Sequence, residues 1–401
     1  MNASFQAIPL TDRVYWVGAI DWAVRNFHGY QTSRGTTYNA FLIMGDEPIL
    51  VDTVKPPFLD EMLTRISSVV EPQRIRTLIS NHAEMDHSGG LSLLMATLQP
   101  QRLIASAQGK KALQQHFHWP HPVETVADGQ RLTLGNSALT FFETRMLHWP
   151  DSMITFLEGD DVLFSNDIFG MHLASFERFA DQLPATLLRE ETAKYFANII
   201  LLYAPVVEKL LARLPTLGVT PRLIAPDHGP VWRQDLGSLV AQYAMWSSQK
   251  PTQKAVLVYD TMWHSTERMA RAIGDGLGSA GLAVKMLPLG ASHRSDVAYE
   301  LLEAGALLVG SPTLNNQIFP TVADTLTYLK GLKPRNRLAA AFGSYGWSGE
   351  AVGHIEGTFQ EMKLELAAEG LRIPYVPDEA ALLRCRQLGI SIAGKIKERL
   401  T

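Results

Sequence analysis

The sequence predicts a two-domain α/β chain, an irregular strand-and-helix half followed by a doubly wound parallel sheet, and three observations carry that expectation. At 401 residues the chain exceeds the ~250–300 residues over which a single core usually grows. Up to about residue 246, apolar strand candidates such as 40–44, 49–51 and 78–80 alternate with helix-like segments such as 58–70, and several strands end in loops bearing His or Asp. After the polar stretch Ser247-Ser248-Gln249-Lys250-Pro251-Thr252-Gln253, which reads as a linker, the pattern becomes a regular βα repeat. Strand candidates 255–259, 283–287, 306–310, 338–342 and 371–375 alternate there with helix candidates, as a three-layer sheet with right-handed crossovers requires. The expected domains are residues 1–249 and 254–401.

Composition narrows the class. Charged residues make up 19% of the chain and the formal net charge is −4, which gives no reason to expect nucleic acid or a membrane surface as partner. The start, MNASFQAIPLTDR, lacks the pattern of a secretory signal, and no ~20-residue apolar span stands out. The expectation is a soluble, cytoplasmic protein, in which the sequon Asn2-Ala3-Ser4 carries no meaning. The single cysteine, Cys385, excludes an internal disulfide or a thiolate cluster, so a metal must rely on His, Asp and Glu.

The segment Ser80-Asn81-His82-Ala83-Glu84-Met85-Asp86-His87-Ser88-Gly89-Gly90 follows an apolar strand and precedes an apolar helix, with His82, Glu84, Asp86 and His87 inside six positions. His148, Asp167 and His228 each follow a later strand-like run. Any one of these histidines alone reads best as a cap or a satisfied polar group. Together the seven supply four imidazoles and three carboxylates, enough for two metals, with Asp167 suited to bridge them. His116, His118 and His121, beside Trp119 and Pro120, end a helix-like segment and are not expected to form a second site.

In the second half, Thr261-Met262-Trp263-His264-Ser265-Thr266 joins the first strand to the first helix, where hydroxyls and helix-start N–H groups can hold a phosphate without Lys or Arg. No Gly-x-Gly-x-x-Gly and no Gly-Lys-Ser/Thr occurs there. Two further loops, one with Ser311, Pro312, Thr313, Leu314, Asn315 and Asn316, the other with Ser344, Tyr345, Gly346 and Trp347, sit at the ends of the third and fourth strands. All three loops resemble the FMN-binding loops of flavodoxins, a likeness that implies amides and hydroxyls at the polar edge of a flavin and aromatics on its ring.

The first-half motif resembles the metallo-β-lactamase superfamily, whose His-x-His-x-Asp-His pattern recurs here with Glu84 at the second histidine. That exchange makes the site harder and more anionic, which favours iron over zinc. With Phe27-His28-Gly29-Tyr30, Arg34-Gly35-Thr36-Thr37-Tyr38-Asn39 and Met146-Leu147-His148-Trp149-Pro150-Asp151-Ser152-Met153, the resemblance narrows to the flavodiiron proteins, and it covers nearly the whole chain. It implies a metallo-β-lactamase-like αββα sandwich followed by a flavodoxin-like domain, an FMN and two non-haem irons. His82, Glu84 and His148 would bind one iron, Asp86, His87 and His228 the other, and Asp167 would bridge; in some similar proteins water takes the place of the histidine matching His87. His28 and Tyr195 would hydrogen-bond to the bound gas or supply a proton. The implied activity is reduction of O2 to water, or of NO to N2O, with electrons from rubredoxin or a similar small carrier, in a head-to-tail homodimer or a dimer of such dimers. The rival readings are a dinuclear zinc hydrolase and a non-catalytic electron carrier or gas sensor; iron with a yellow flavin, against zinc without one, separates the first rival.

Overall fold

A computed structural model describes residues 4–118 and 120–401; Asn2 and Ala3 of the sequon, and Trp119, lie outside the described residues. The chain divides into two compact units, one of residues up to Tyr195 with Pro205–Ala244, the other of Phe196–Ala204 with Met245–Thr401.

The first unit is built on two large sheets, with two small two-stranded ones beside them. One has seven strands in the order Ile8–Pro9, Val14–Trp16, Phe41–Ile43, Ile49–Val51, Thr77–Ser80, Arg102–Ser106 and Glu124–Val126, antiparallel at first and parallel from Ile49–Val51 onward. The other has five: Arg131–Leu134, Ser137–Glu143, Met153–Leu157, Val162–Asn166 and Leu223–Pro226. Period-two alternation sends Ile49, Val51 and Ile79 into a core shared with Phe141, Leu157 and Phe164 of the second sheet. Leu50, Leu78 and Leu103 point the other way, onto Met62, Ile66, Leu94 and Leu113 of covering helices. The result is a helix-sheet-sheet-helix sandwich whose strand ends carry His82, Asp167 and His228.

The second unit has a parallel sheet in the order Ala283–Pro288, Lys254–Tyr259, Ala306–Gly310, Leu338–Tyr345 and Leu371–Pro374, with Glu365–Leu366 also pairing to the fourth of these. Numbered along the chain, the five main strands run 2-1-3-4-5, the flavodoxin order, with its ligand position where the order reverses at the first and third strands.

Two expectations change. The stretch expected as a linker is largely ordered: the helix Leu236–Ser248 runs into it, and Gln249 is buried, its side chain accepting from the Arg335 N–H and its carbonyl from Arg337 Nη1. Gln249 thereby satisfies a backbone N–H and a buried guanidinium, while Ser248, Lys250, Thr252 and Gln253 are exposed. The helical run Ala185–Thr216 is long and apolar enough to cross a membrane, a span the sequence reading passed over, and half of its most apolar window is buried inside the protein. Its apolarity comes from core packing: Phe196, Ile200, Ala204 and Val207 are all fully buried, and the run is broken by a π-helical turn at Phe196–Ile200.

Candidate functional site

In the first unit, the strand Thr77–Ser80 ends at Asn81, which is tied down by Asp52: Asn81 N–H and Nδ2 donate to its two carboxylate oxygens at 2.7 and 2.8 Å. The chain then turns through His82 and Glu84 into the one-turn helix Met85–Ser88, so four candidate ligands fall on one short bend. Asn166, at the end of Val162–Asn166, adopts a left-handed φ of 48° and thereby presents Asp167 beside them. His148 and His228 arrive from the loops after Ser137–Glu143 and Leu223–Pro226.

All seven side chains meet. His82, Glu84, His148 and Asp167 form one group and Asp86, His87 and His228 another, each with donor atoms within 4.8 Å of one another. Asp167 divides its carboxylate between them. Oδ2 lies 3.3 Å from His82 Nε2 and 3.1 Å from His148 Nε2, while Oδ1 lies 3.2 Å from His87 Nε2 and 3.5 Å from His228 Nε2. Glu84 Oε2 sits 3.3 Å from His82 Nε2 and 3.1 Å from His148 Nε2, and Asp86 Oδ2 sits 3.2 Å from His228 Nε2. Two donors on one transition metal, each at roughly 2.1 Å, stand at most about 4.2 Å apart, so these spacings fit. The groups also need a cation: both carboxylate oxygens of Asp86 and Asp167 and both ring nitrogens of His87 are buried without a hydrogen bond. His87 faces inward.

Electrostatics agree. Burial alone would raise Asp167 and Glu84, yet the surrounding imidazoles hold both well below the usual carboxylate range. Burial alone would lower His82 and His87, yet Asp151 and Glu84 beside His82, and Asp86, Asp167 and Asp227 around His87, raise both well above the ordinary imidazole value. Protons on the imidazoles thus stand in for metal charge, and metal binding must displace them.

The imidazoles are oriented from behind. Asp151 Oδ2 lies 3.0 Å from His82 Nδ1 and also accepts the Ala83 N–H at 2.6 Å. The Thr37 carbonyl, 2.6 Å from His228 Nδ1, can only accept, so that nitrogen carries the proton and Nε2 keeps its lone pair for the centre. His28 is largely exposed, with Nε2 3.2 Å from Glu84 Oε1. Tyr195 is buried with its ring against those of His172 and His228, and its hydroxyl pKa is driven far up by burial and by the charges of Asp167 and Asp86. Sequence reasoning assigned no role to Asp52, Asp151, Asp227 or His172. Asp151 lay inside a motif already singled out and Asp227 next to His228, whereas His172, whose ring contacts Phe27, Tyr195 and His228, had no motif to mark it. His116 stacks on Trp149, rings 6.3 Å apart.

In the second unit, a cleft of about 520 Å³ lies at the strand ends. Of the predicted flavin residues it is lined by Met262, Trp263, Ser265, Pro312, Thr313, Leu314, Asn315, Asn316, Ser344, Tyr345, Gly346 and Trp347. The other four predicted residues do not line it. Thr266 Oγ1 is bonded to Ser344 Oγ at 2.9 Å, Ser311 Oγ donates to the Pro312 carbonyl, and the exposed His264 ring pairs with Glu267. Thr261 Oγ1 is buried without a hydrogen bond at the start of the phosphate-type loop. Ser348, Tyr375 and Val376 also line the cleft; Tyr375 and Val376 follow the fifth strand, an end the sequence reading left out. The helix Ser265–Ser279 begins at the cleft and offers its free N–H groups to an anion.

A sandwich with a two-part carboxylate-imidazole centre, followed by a flavodoxin-type domain with an aromatic-lined cleft, defines a metalloflavoprotein oxidoreductase. Residues 36–229 match the family described as ODP family beta lactamase, and residues 257–389 match the flavodoxin family. The chain is 43% identical over 399 residues to the rubredoxin-oxygen oxidoreductase of Megalodesulfovibrio gigas, covering 98% of this chain and 99% of that one. It is 42% identical over 397 residues to the nitric oxide reductase of Moorella thermoacetica, covering 98% and 100%. The flavodiiron protein of Giardia intestinalis superposes with a TM-score of 0.96 at 33% identity, over 99% of this chain and 98% of that one. The chain belongs to the flavodiiron protein family. It is therefore an oxidoreductase with FMN and a diiron centre as its cofactors, and the zinc-hydrolase reading falls away.

Proposed function

We propose that this enzyme reduces O2 or NO at the seven-residue centre with electrons passed through FMN from a rubredoxin-like carrier. The observation that carries the reading is the divided carboxylate of Asp167, which serves both ligand groups at once. His82, Glu84 and His148 would hold one iron, Asp86, His87 and His228 the other. Iron supplies the one-electron steps that zinc lacks, and FMN links them to the donor. The relatives' names, oxygen oxidoreductase and nitric oxide reductase, support both gases as substrates, and rubredoxin in one of those names supports the donor. The single cysteine leaves no thiolate centre within the chain to fill that donor role.

The chain's own groups handle protons. Glu84 holds the His28 ring with its outer oxygen, and His28, open to solvent, passes protons inward from that position. Tyr195, whose hydroxyl pKa is raised by burial and the nearby Asp167 and Asp86 charges, donates a hydrogen bond toward the reacting gas. A soluble cytoplasmic homodimer, arranged head to tail, completes the proposal. Trp263 and Trp347 at the cleft mouth are 87% and 86% exposed, surfaces that a partner subunit would cover.

The test is Asp167→Ala. It is expected to lose most bound iron and all gas reductase activity while keeping FMN and its visible spectrum. Wild-type turnover by the iron-depleted variant would overturn the reading.

A further inference from the structure

Behind His87 lies a carboxylate that the reaction does not use. Asp227 is fully buried, both its side-chain oxygens lack a hydrogen bond, and Oδ2 stands 3.6 Å from His87 Nδ1, which is itself buried and unbonded. A buried carboxylate without a partner is costly, and so is a buried imidazole N–H. Their adjacency resolves both at the expense of a few tenths of an ångström. Neither backbone is free to drift. Asp227 N–H donates to the Asn166 carbonyl and its own carbonyl accepts the Asn39 N–H, both at 2.8 Å; the His87 carbonyl accepts from Thr53 N–H at 2.9 Å. Two of the other imidazoles have acceptors of their own: Asp151 backs His82 and the Thr37 carbonyl backs His228.

We propose that Asp227 is the positioning residue of His87: its carboxylate accepts the Nδ1 proton and so holds Nε2 turned toward Asp86 and Asp167. The inference rests on the reading of His87 as a metal ligand. Without Asp227 the ring has no acceptor behind it, and rotation about its side-chain bonds frees it to leave the centre for a water molecule. The role is selective, since Asp86 and His228, the other two donors of that group, do not depend on it.

The experiment measures iron affinity at each position, by chelator competition and Mössbauer spectroscopy of the holoprotein, in Asp227→Ala, Asp227→Asn, His87→Ala and the double variant His87→Ala/Asp227→Ala. Asp227→Ala is expected to weaken one iron position about 10- to 100-fold and leave the other unchanged. Asp227→Asn, whose amide oxygen still accepts a hydrogen bond, is expected to recover most of that loss. In the His87→Ala background, removing Asp227 is expected to change nothing further. Equal weakening of both positions, or an additive loss in the double variant, would assign Asp227 a general structural role and overturn the proposal. If Asp227→Ala does not fold, as judged by lost flavin binding, the same comparison is made with Asp227→Asn alone and combined with His87→Ala. An unchanged affinity in His87→Ala would instead overturn the reading of His87 as a ligand, and the proposal with it.

Discussion

Glu84 shows how much one side chain decides. Where the hydrolytic relatives of this motif carry a second histidine, it places an anionic oxygen 3.3 and 3.1 Å from two imidazoles and leaves its other oxygen on His28. Replacing it by His removes one negative charge and the His28 contact together. Glu84→His is expected to lower the iron-to-zinc ratio about tenfold after growth with both metals; elemental analysis checks it, and an unchanged ratio would show that charge here does not set selectivity. The residues readable in advance were those whose chemistry is concentrated in sequence, such as His82, Glu84, Asp86 and His87 within six positions. Asp52, Asp227 and His172 were not, because each matters only through what folding brings beside it: Asp52 acts on Asn81 and Asp227 on His87. A lone buried histidine such as His172 has the same sequence signature whether it is functional or merely packed.

At the scale of elements, the flavin unit depends on two helices held unusually close. A Cβ on Gly276 would stand 2.0 Å from the Arg386 carbonyl, and one on Gly389 would stand 2.2 Å from the Ile273 carbonyl. These glycines belong to Ser265–Ser279 and Glu379–Leu400, whose backbones therefore approach to contact distance. The first helix also begins at the flavin cleft, so moving it moves the phosphate-binding N–H groups. Gly389→Ala is expected to destabilise this unit by about 1–3 kcal/mol and to weaken FMN binding. Thermal unfolding followed by flavin release checks both effects, and an unshifted melting temperature would mean the helices separate without cost. The βα repeat of this unit was plain in the sequence because its three central strands, Lys254–Tyr259, Ala306–Gly310 and Leu338–Tyr345, are buried on both faces and read as continuous apolar runs, and 306–310 was placed to the residue. Within the phosphate-type loop Met262, Trp263 and Ser265 line the cleft, whereas His264 turns to Glu267, a local pairing that its place at a strand end does not reveal.

For the whole molecule, the division of labour between two units makes their pairing in solution testable. If the flavin of one subunit serves the metal centre of the other, two inactive chains should restore each other. One would carry His82→Ala with Asp167→Ala, the other disruptive changes in the loop from Thr261 to Thr266. Purified mixed dimers confirmed to hold one complete diiron centre, two irons, and one FMN per dimer are expected to recover up to half the wild-type turnover per dimer, and inactive mixed dimers would assign electron transfer to a single chain. The divided carboxylate of Asp167 has a consequence for assembly as well. Because one side chain serves both positions, the first ion to arrive fixes its rotamer and removes an entropy cost that the second would otherwise meet. Iron loading is therefore expected to be cooperative, with half-filled protein scarce throughout a stepwise titration of the metal-free form followed by Mössbauer spectroscopy, so that cells short of iron would hold a mixture of empty and complete centres in place of a uniform population of partly built ones.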